Sequence, residues 1–114
     1  MEKADQVRVN SNIDGTTIVG IGALDLYNKN FDAALKEALV SAESVTVDLR
    51  SATYIDTAII ANLASAANKL IRRGKRLGIL LAEGTQPLRV LAITGLGEIM
   101  DLVIDAAREQ SRNL

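Results

Sequence analysis

Asp56 and Thr57 are the residues of this chain with the clearest potential for chemistry, and they precede a long amphipathic segment. The Thr57 hydroxyl falls in the first turn of a predicted helix, at the border between its buried and exposed faces, where another protein could reach it. A helix N-terminus also tolerates an added phosphate, because the helix dipole favours negative charge there. The structural alternative is that Asp56 or Thr57 caps the helix. The two roles are compatible.

The composition limits other chemistry. The sequence has no cysteine and no histidine, which removes disulfides, thiolate nucleophiles, imidazole bases and most zinc or haem sites. The carboxylates Asp25, Asp48 and Asp56 are scattered along the chain, and no spacing makes two of them an acid/base pair. We therefore expect no catalytic residue, no metal site and no cofactor, and a protein that is not an enzyme.

Two further motifs have structural explanations. The Gly20-Ile-Gly22 motif lacks the third glycine and the immediately following helix of a dinucleotide-binding loop. A basic cluster, Arg72, Arg73, Lys75 and Arg76, lies at a predicted helix end, where cations compensate the negative end of the dipole. Contact with an acidic patch on a protein partner is the alternative for this cluster.

Length and charge indicate one globular domain spanning residues 1–114. Of these residues 48% are hydrophobic and 24% are charged, which is typical of a folded domain. The net charge of -1 offers no broad electropositive surface, so we expect no nucleic-acid partner. The polar N-terminus lacks the apolar core of a signal peptide, and no apolar run is long enough to cross a bilayer. We expect a cytoplasmic protein without direct membrane insertion.

The first half of the chain predicts a hairpin and a helix. Residues 7–12 and 16–21 are β-rich and flank Asp14-Gly15, a dipeptide suited to a turn. An amphipathic helix capped by Asn30 should follow. Its apolar residues recur at spacings of three and four: Phe31, Ala34, Leu35, Ala38, Leu39 and Ala42.

A βαβ unit should follow. Residues 45–49 predict a central strand, residues 50–55 a loop, and residues 58–73 a second helix. The apolar face of that helix comprises Ile59, Ile60, Leu63, Ala66, Ala67, Leu70 and Ile71, and Ala58, Asn62, Ser65 and Lys69 lie opposite. Residues 75–82 predict a buried strand, parallel to the central strand through a right-handed crossover.

The C-terminal part predicts a short helix and a last strand. Pro87 suits the first turn of a third helix that ends near Gly95, with Leu88, Leu91 and Ala92 facing inward. Residues 99–104 predict the last strand, and the polar residues 106–114 a short helix or a frayed end.

Three segments together resemble the STAS family. They are Val45-Thr-Val-Asp-Leu-Arg-Ser-Ala-Thr-Tyr-Ile-Asp-Thr57 before its long helix, Gly22-Ala-Leu-Asp-Leu26, and Leu91-Ala-Ile-Thr-Gly-Leu96. The resemblance covers nearly the whole chain. It implies an α/β fold, a single STAS-type domain whose mixed β-sheet has about four to five strands, with helices packed mainly on one face.

Stand-alone STAS domains are typically bacterial anti-sigma factor antagonists, which act in transcription regulation and stress response. The resemblance places Thr57 at the phosphorylation site, with an anti-sigma factor kinase and a phosphatase as partners. The unphosphorylated protein would bind the kinase and free a sigma factor. Partner contacts are expected at Asp25, Asp56, Ala58, Ala61, Asn62 and Ser65. We expect a monomer or a weak dimer.

Other functions stay open. Family members often have Gly and Leu shortly after the phosphorylated residue, whereas this chain has Ala58-Ile59-Ile60, which would also suit a constitutive docking module. A STAS subunit of a bacterial lipid-transport ABC complex, docked on the ATPase subunit, is the main alternative. A small-molecule sensor, or a part of a larger stress-signalling complex, is the third.

Overall fold

An N-terminal β-hairpin begins the fold in the computed structural model, which describes residues 6–25 and 29–105. Strands β1 (Val7–Asn12) and β2 (Gly15–Leu24) pair antiparallel. The turn between them ends at Gly15, whose φ of 151° is rarely adopted by L side chains. The hairpin predicted around Asp14-Gly15 is confirmed.

Helices alternate with parallel strands through the rest of the described chain. In order these elements are α1 (Lys29–Ser41), β3 (Val45–Ile55), α2 (Thr57–Arg72), β4 (Leu77–Ala82), α3 (Gln86–Ile93), a 3-10 turn (Leu96–Glu98) and β5 (Met100–Asp105). The described residues form one five-stranded sheet of order β1-β2-β3-β4-β5, in which β2 to β5 are parallel. Each crossover steps to the next strand in the same direction, so right-handed connections place α1, α2 and α3 on one face. The predicted α/β fold is confirmed.

One hydrophobic core lies between the sheet and the helices. Alternate residues of β3 and β4 point into it, because successive strand side chains face opposite sides. The buried strand residues include Val45, Val47, Leu49, Leu77, Ile79 and Leu81. From the helices come Phe31, Leu35, Ile59, Leu63, Leu70 and Leu91. None of α1, α2 and α3 is long and apolar enough to cross a membrane.

Strand β3 is longer than the sequence predicted. Residues 50–55, predicted to be a loop, continue the strand and pair with β2 as far as Leu24 and Ile55. Two register shifts in this ladder break the alternation of buried and exposed residues, so that Ala52 and Ile55 are buried while Thr53 and Tyr54 are exposed. Because the alternation is lost, the sequence of residues 50–55 indicated a loop and not a strand.

Three smaller predictions are wrong. Helix α1 begins at Lys29, so Asn30 lies inside its first turn and not at the cap. Ile71 is exposed, because it lies at the margin of the stripe that buries Leu70. Ala92 is also exposed, since α3 buries mainly the narrow stripe of Pro87 and Leu91.

Most of the other predicted boundaries agree closely with the structure, but β2 continues to Leu24, three residues past its predicted end at Ile21. Helix α2 and strands β4 and β5 lie within two residues of the predicted ranges. Pro87 lies in the first turn of α3, and Gly95 follows that helix with a positive φ of 78°. The predicted tail, residues 106–114, lies outside the described residues.

Candidate functional site

Thr57 is the first residue of α2 and its side chain is exposed. Asp56 precedes it in an extended conformation, and its carboxylate accepts a hydrogen bond from the backbone N–H of Ile59 at 3.0 Å. Of the two capping residues proposed from the sequence, Asp56 is therefore the N-cap. This arrangement leaves Thr57 on the surface, at the helix end whose backbone N–H groups have no partner within the helix.

Replacing Asp56 by alanine should destabilise the protein by about 1 kcal/mol, because the Ile59 N–H loses its acceptor. The Asp56→Asn variant keeps a capping oxygen and should lose much less. Urea unfolding of both variants measures the difference. Equal losses would show that the charge of Asp56 matters more than its hydrogen bond.

An exposed stripe of small side chains runs from Thr57 along α2. Ala61 and Ser65 follow at intervals of four residues, so all three lie on one side of the helix. Their side chains are short, and a partner could approach the α2 backbone closely along this line. The structure thus brings two of the predicted partner contacts, Ala61 and Ser65, into line with the predicted phosphorylation site, Thr57.

Three more of the predicted contact residues border a cleft between α1 and α2. Asp25, Ala58 and Asn62 line this cleft of about 470 Å³, and all three are half-buried. Ala58 and Asn62 were predicted to lie opposite the apolar face of α2, and they pack towards α1. The cleft adjoins the exposed stripe, so we define the two together as the α2 face.

Helix α1 supplies residues to the α2 face that the sequence did not single out. Lys29, Asp32, Ala33 and Lys36 line the same cleft. Asp32 and Lys36 form an ion pair at 3.2 Å, in the favourable order for residues four apart on a helix. The sequence offered two signals for these residues. They are spaced as on one helix, and crossovers on a single face of the sheet place α1 beside α2.

Gln86, the first residue of α3, contacts the backbone immediately before the site. Its amide oxygen accepts a hydrogen bond from the Ile55 N–H at 2.9 Å, and its amide nitrogen donates one to the Ile55 carbonyl at 3.0 Å. Nothing in the sequence identified this residue, because the contact joins positions far apart in the chain.

Asp48 lies away from the α2 face, on the side of the sheet opposite the helices. Burial raises the pKa of its carboxyl, but the hydrogen bonds and charge of Arg50 outweigh this, so the pKa is lowered overall. Arg50 also contacts Asp105, at 3.3 Å, and the two carboxylates raise the pKa of the guanidinium. Arg50 thus offsets part of the negative charge of Asp48 and Asp105 within the chain.

The basic cluster at the end of α2 also contacts its own chain. Arg73 donates a hydrogen bond to the carbonyl of Leu39. Lys75 pairs with Glu43 at 2.5 Å, and this contact lowers the pKa of Glu43. Arg76 pairs with Asp101 at 2.7 Å. Three of the four cations of the cluster thus contact groups of their own chain outside α2, which is a structural role other than the predicted compensation of the helix dipole. Across residues 6–25 and 29–105, no group of three or more acidic side chains is arranged to hold a metal ion.

Comparisons with solved structures show the same fold in other proteins. An anti-sigma factor antagonist from Mycobacterium paratuberculosis superposes with a TM-score of 0.76 at 16% identity, covering 93% of this chain and 91% of that one. An anti-sigma-factor antagonist (STAS) domain protein from Planctomyces limnophilus gives 0.67 at 17% identity, over 91% and 93% of the two chains. The phosphorylated form of SpoIIAA, a Bacillus cell fate determinant, gives 0.64 at 15% identity, over 95% and 99%.

The family assignment comes from the sequence. A comparison with curated proteins gave no significant match. The family model described as "Mlab, STAS domain" matches residues 8–104, which include every described strand except the start of β1 and the end of β5. With this match over most of its length, the chain belongs to the STAS domain family.

Proposed function

We propose that this protein is a cytoplasmic anti-sigma factor antagonist whose binding to an anti-sigma factor kinase is controlled by phosphorylation of Thr57. The observation that carries the proposal is the exposed Thr57 side chain at the N-terminus of α2, directly after the capping Asp56. The unphosphorylated protein binds the kinase and a sigma factor is released. A phosphatase reverses the modification. In this cycle the protein is a ligand and a substrate, not an enzyme.

The surroundings of Thr57 suit a switch based on charge. A phosphate adds about -1.5 to -2 charges at neutral pH, directly beside the carboxylate of Asp56. The N-terminus of α2 favours this charge, so the helix should persist. The partner, packed against the small side chains of Ala61 and Ser65, would meet a bulky dianion. Phosphorylation therefore acts on the docking surface and leaves the fold intact.

The proposed docking surface is the α2 face. It includes five of the six contact residues expected from the family resemblance, Asp25, Ala58, Ala61, Asn62 and Ser65, and the sixth, Asp56, directly precedes the first residue of its exposed stripe. A partner can approach the helix closely along the exposed stripe. The cleft is a recess lined by two lysines and two aspartates, so it presents both signs of charge. A partner with both acidic and basic side chains fits such a surface better than one of a single sign.

Intact mass measurement with phosphosite mapping tests the proposal. The protein isolated from its own cells should carry an added mass of about 80 Da, that of one phosphoryl group on a hydroxyl. The added mass should disappear in Thr57→Ala and persist in Ser65→Ala, which removes an exposed hydroxyl from the same side of α2. Absence of the phosphate under all growth and stress conditions would contradict kinase control.

A constitutive docking role, as in a lipid-transport ABC complex, is the second candidate. Ala58 favours it, because kinase-controlled family members often have glycine near this position, and here the alanine side chain lines the α1–α2 cleft. In this case a tagged protein would retain an ATPase subunit and a permease from cell extracts regardless of its phosphorylation state. Retention of a kinase instead would favour the first proposal.

A further inference from the structure

Strand β3 loses its neighbour before it reaches the docking surface. The described ladder between β3 and β4 pairs Thr46, Val47 and Asp48 with β4 and ends at Asp48 and Leu80. From there to Ile55, β3 continues beside β2, while β4 continues beside β5. The backbone N–H of Arg50 donates to the carboxylate of Asp48, at 3.0 Å.

The side chain of Gln86 takes the place of the missing strand at Ile55. A neighbouring strand would supply one acceptor and one donor, and the primary amide of Gln86 supplies both, at 2.9 and 3.0 Å. The contact is partly buried and joins the first residue of α3 to the last residue of β3. Asp56 and Thr57 follow Ile55 directly.

We propose that Gln86 is a positioning residue, which fixes the end of β3 so that Asp56 caps α2 and Thr57 is presented in one orientation. This inference deepens the proposed function, since the presented residue is the proposed phosphorylation site. It assigns to α3 a role in the docking surface although Gln86 lies outside the α2 face.

A cleft beside Gln86 makes the role testable by substitution. The cleft, of about 380 Å³, is lined on the β3 side by Arg50, Ser51, Ala52 and Thr53, and on the other side by Gly84, Thr85, Gln86 and Arg89. A leucine can therefore replace Gln86 without being forced into the core. Arg89→Ala is a matched control, because this exposed residue lies on the same helix and lines the same cleft.

Hydrogen exchange of single amides, followed by NMR on the full chain, tests the proposal. In Gln86→Leu the Ile55 N–H loses its acceptor, so its exchange should accelerate about five- to tenfold, as for one net hydrogen bond. The deciding amide is that of Ile59, which Gln86 does not contact and which the Asp56 carboxylate protects. It should accelerate to a similar extent, while both amides keep their wild-type rates in Arg89→Ala.

A second variant provides rescue. At neutral pH the carboxylate of Gln86→Glu accepts a hydrogen bond from the Ile55 N–H but cannot donate one to the Ile55 carbonyl. The protonated carboxyl can do both. After correction for intrinsic exchange, the protection of Ile55 and Ile59 in Gln86→Glu, measured relative to Gln86→Leu at the same pH, should rise as the pH falls below about 4.3, the ordinary pKa of Glu. Comparison at equal pH removes the effects of acid that both variants share. Faster exchange at Ile55 with unchanged exchange at Ile59 would overturn the proposal, since Gln86 would then only close the strand edge. These measurements need no partner, so they are independent of whether Thr57 is phosphorylated.

Discussion

Thr57→Glu is expected to bind the anti-sigma factor kinase about 100-fold more weakly than the unmodified protein. Like charges brought together in an interface cost several kcal/mol, and each tenfold loss of affinity corresponds to about 1.4 kcal/mol. Glutamate adds a carboxylate beside Asp56, at the start of the exposed stripe that Ala61 and Ser65 continue. Titration of the purified kinase against each variant measures the effect.

Two control variants separate charge from bulk and from general surface effects. Thr57→Gln has the size of the glutamate variant without its charge, and should lose much less affinity. Asn10→Glu adds the same charge to an exposed position on the edge strand β1, outside the α2 face, and should bind normally. Raising the salt concentration should reduce the deficit of Thr57→Glu, because exposed charges are screened.

The fold of Thr57→Glu should be unchanged. Acidic groups stabilise the first turn of a helix, so circular dichroism should show the helix content of the wild type. A melted α2 together with lost binding would contradict a switch that acts at the docking surface. Equal losses in Thr57→Glu and Thr57→Gln would instead identify bulk as the cause.

The sequence predicted the parts of the site that depend on local chemistry. An Asp-Thr pair before an amphipathic segment is a helix start, and the structure confirms that Asp56 is the cap. The inward faces of α2 and β4 follow from the periodicity of their apolar residues. Local signals therefore sufficed to place Thr57 on the surface at the N-terminus of α2.

The parts that the sequence missed depend on contacts between distant segments. The extension of β3 was hidden because register shifts removed the two-residue alternation that identifies a strand. Gln86 precedes a proline in a turn-rich segment, and its role depends on where β4 leaves β3. The α1 residues of the cleft were recognisable as exposed helix positions, but only the packed structure shows which of them border Asn62.

The largest expected effect on stability comes from Gly15→Ala, which should cost about 2–5 kcal/mol, the sum of a strained backbone and an overpacked contact. A Cβ at Gly15 would lie 2.1 Å from the Ser44 hydroxyl oxygen and 2.6 Å from the Ser44 carbonyl oxygen. Backbone atoms of Ser44 cannot move freely, because the Thr16 N–H donates to that carbonyl at 2.9 Å. The Ser44 hydroxyl in turn donates to the Asp14 carbonyl at 2.7 Å.

Gly74→Ala isolates the contribution of the backbone. Gly74 has a φ of 76°, and an added Cβ would meet no atom within 4 Å, so only the conformational cost of about 1 kcal/mol remains. In urea unfolding, the free energy of unfolding of Gly15→Ala should be well below that of Gly74→Ala. The double variant Gly15→Ala, Ser44→Ala should remain destabilised, because the contact with the Ser44 backbone persists. Equal losses at the two glycines would mean that the hairpin turn moves away from Ser44 at little cost. The hairpin would then be held to the segment between α1 and β3 less firmly than its hydrogen bonds imply.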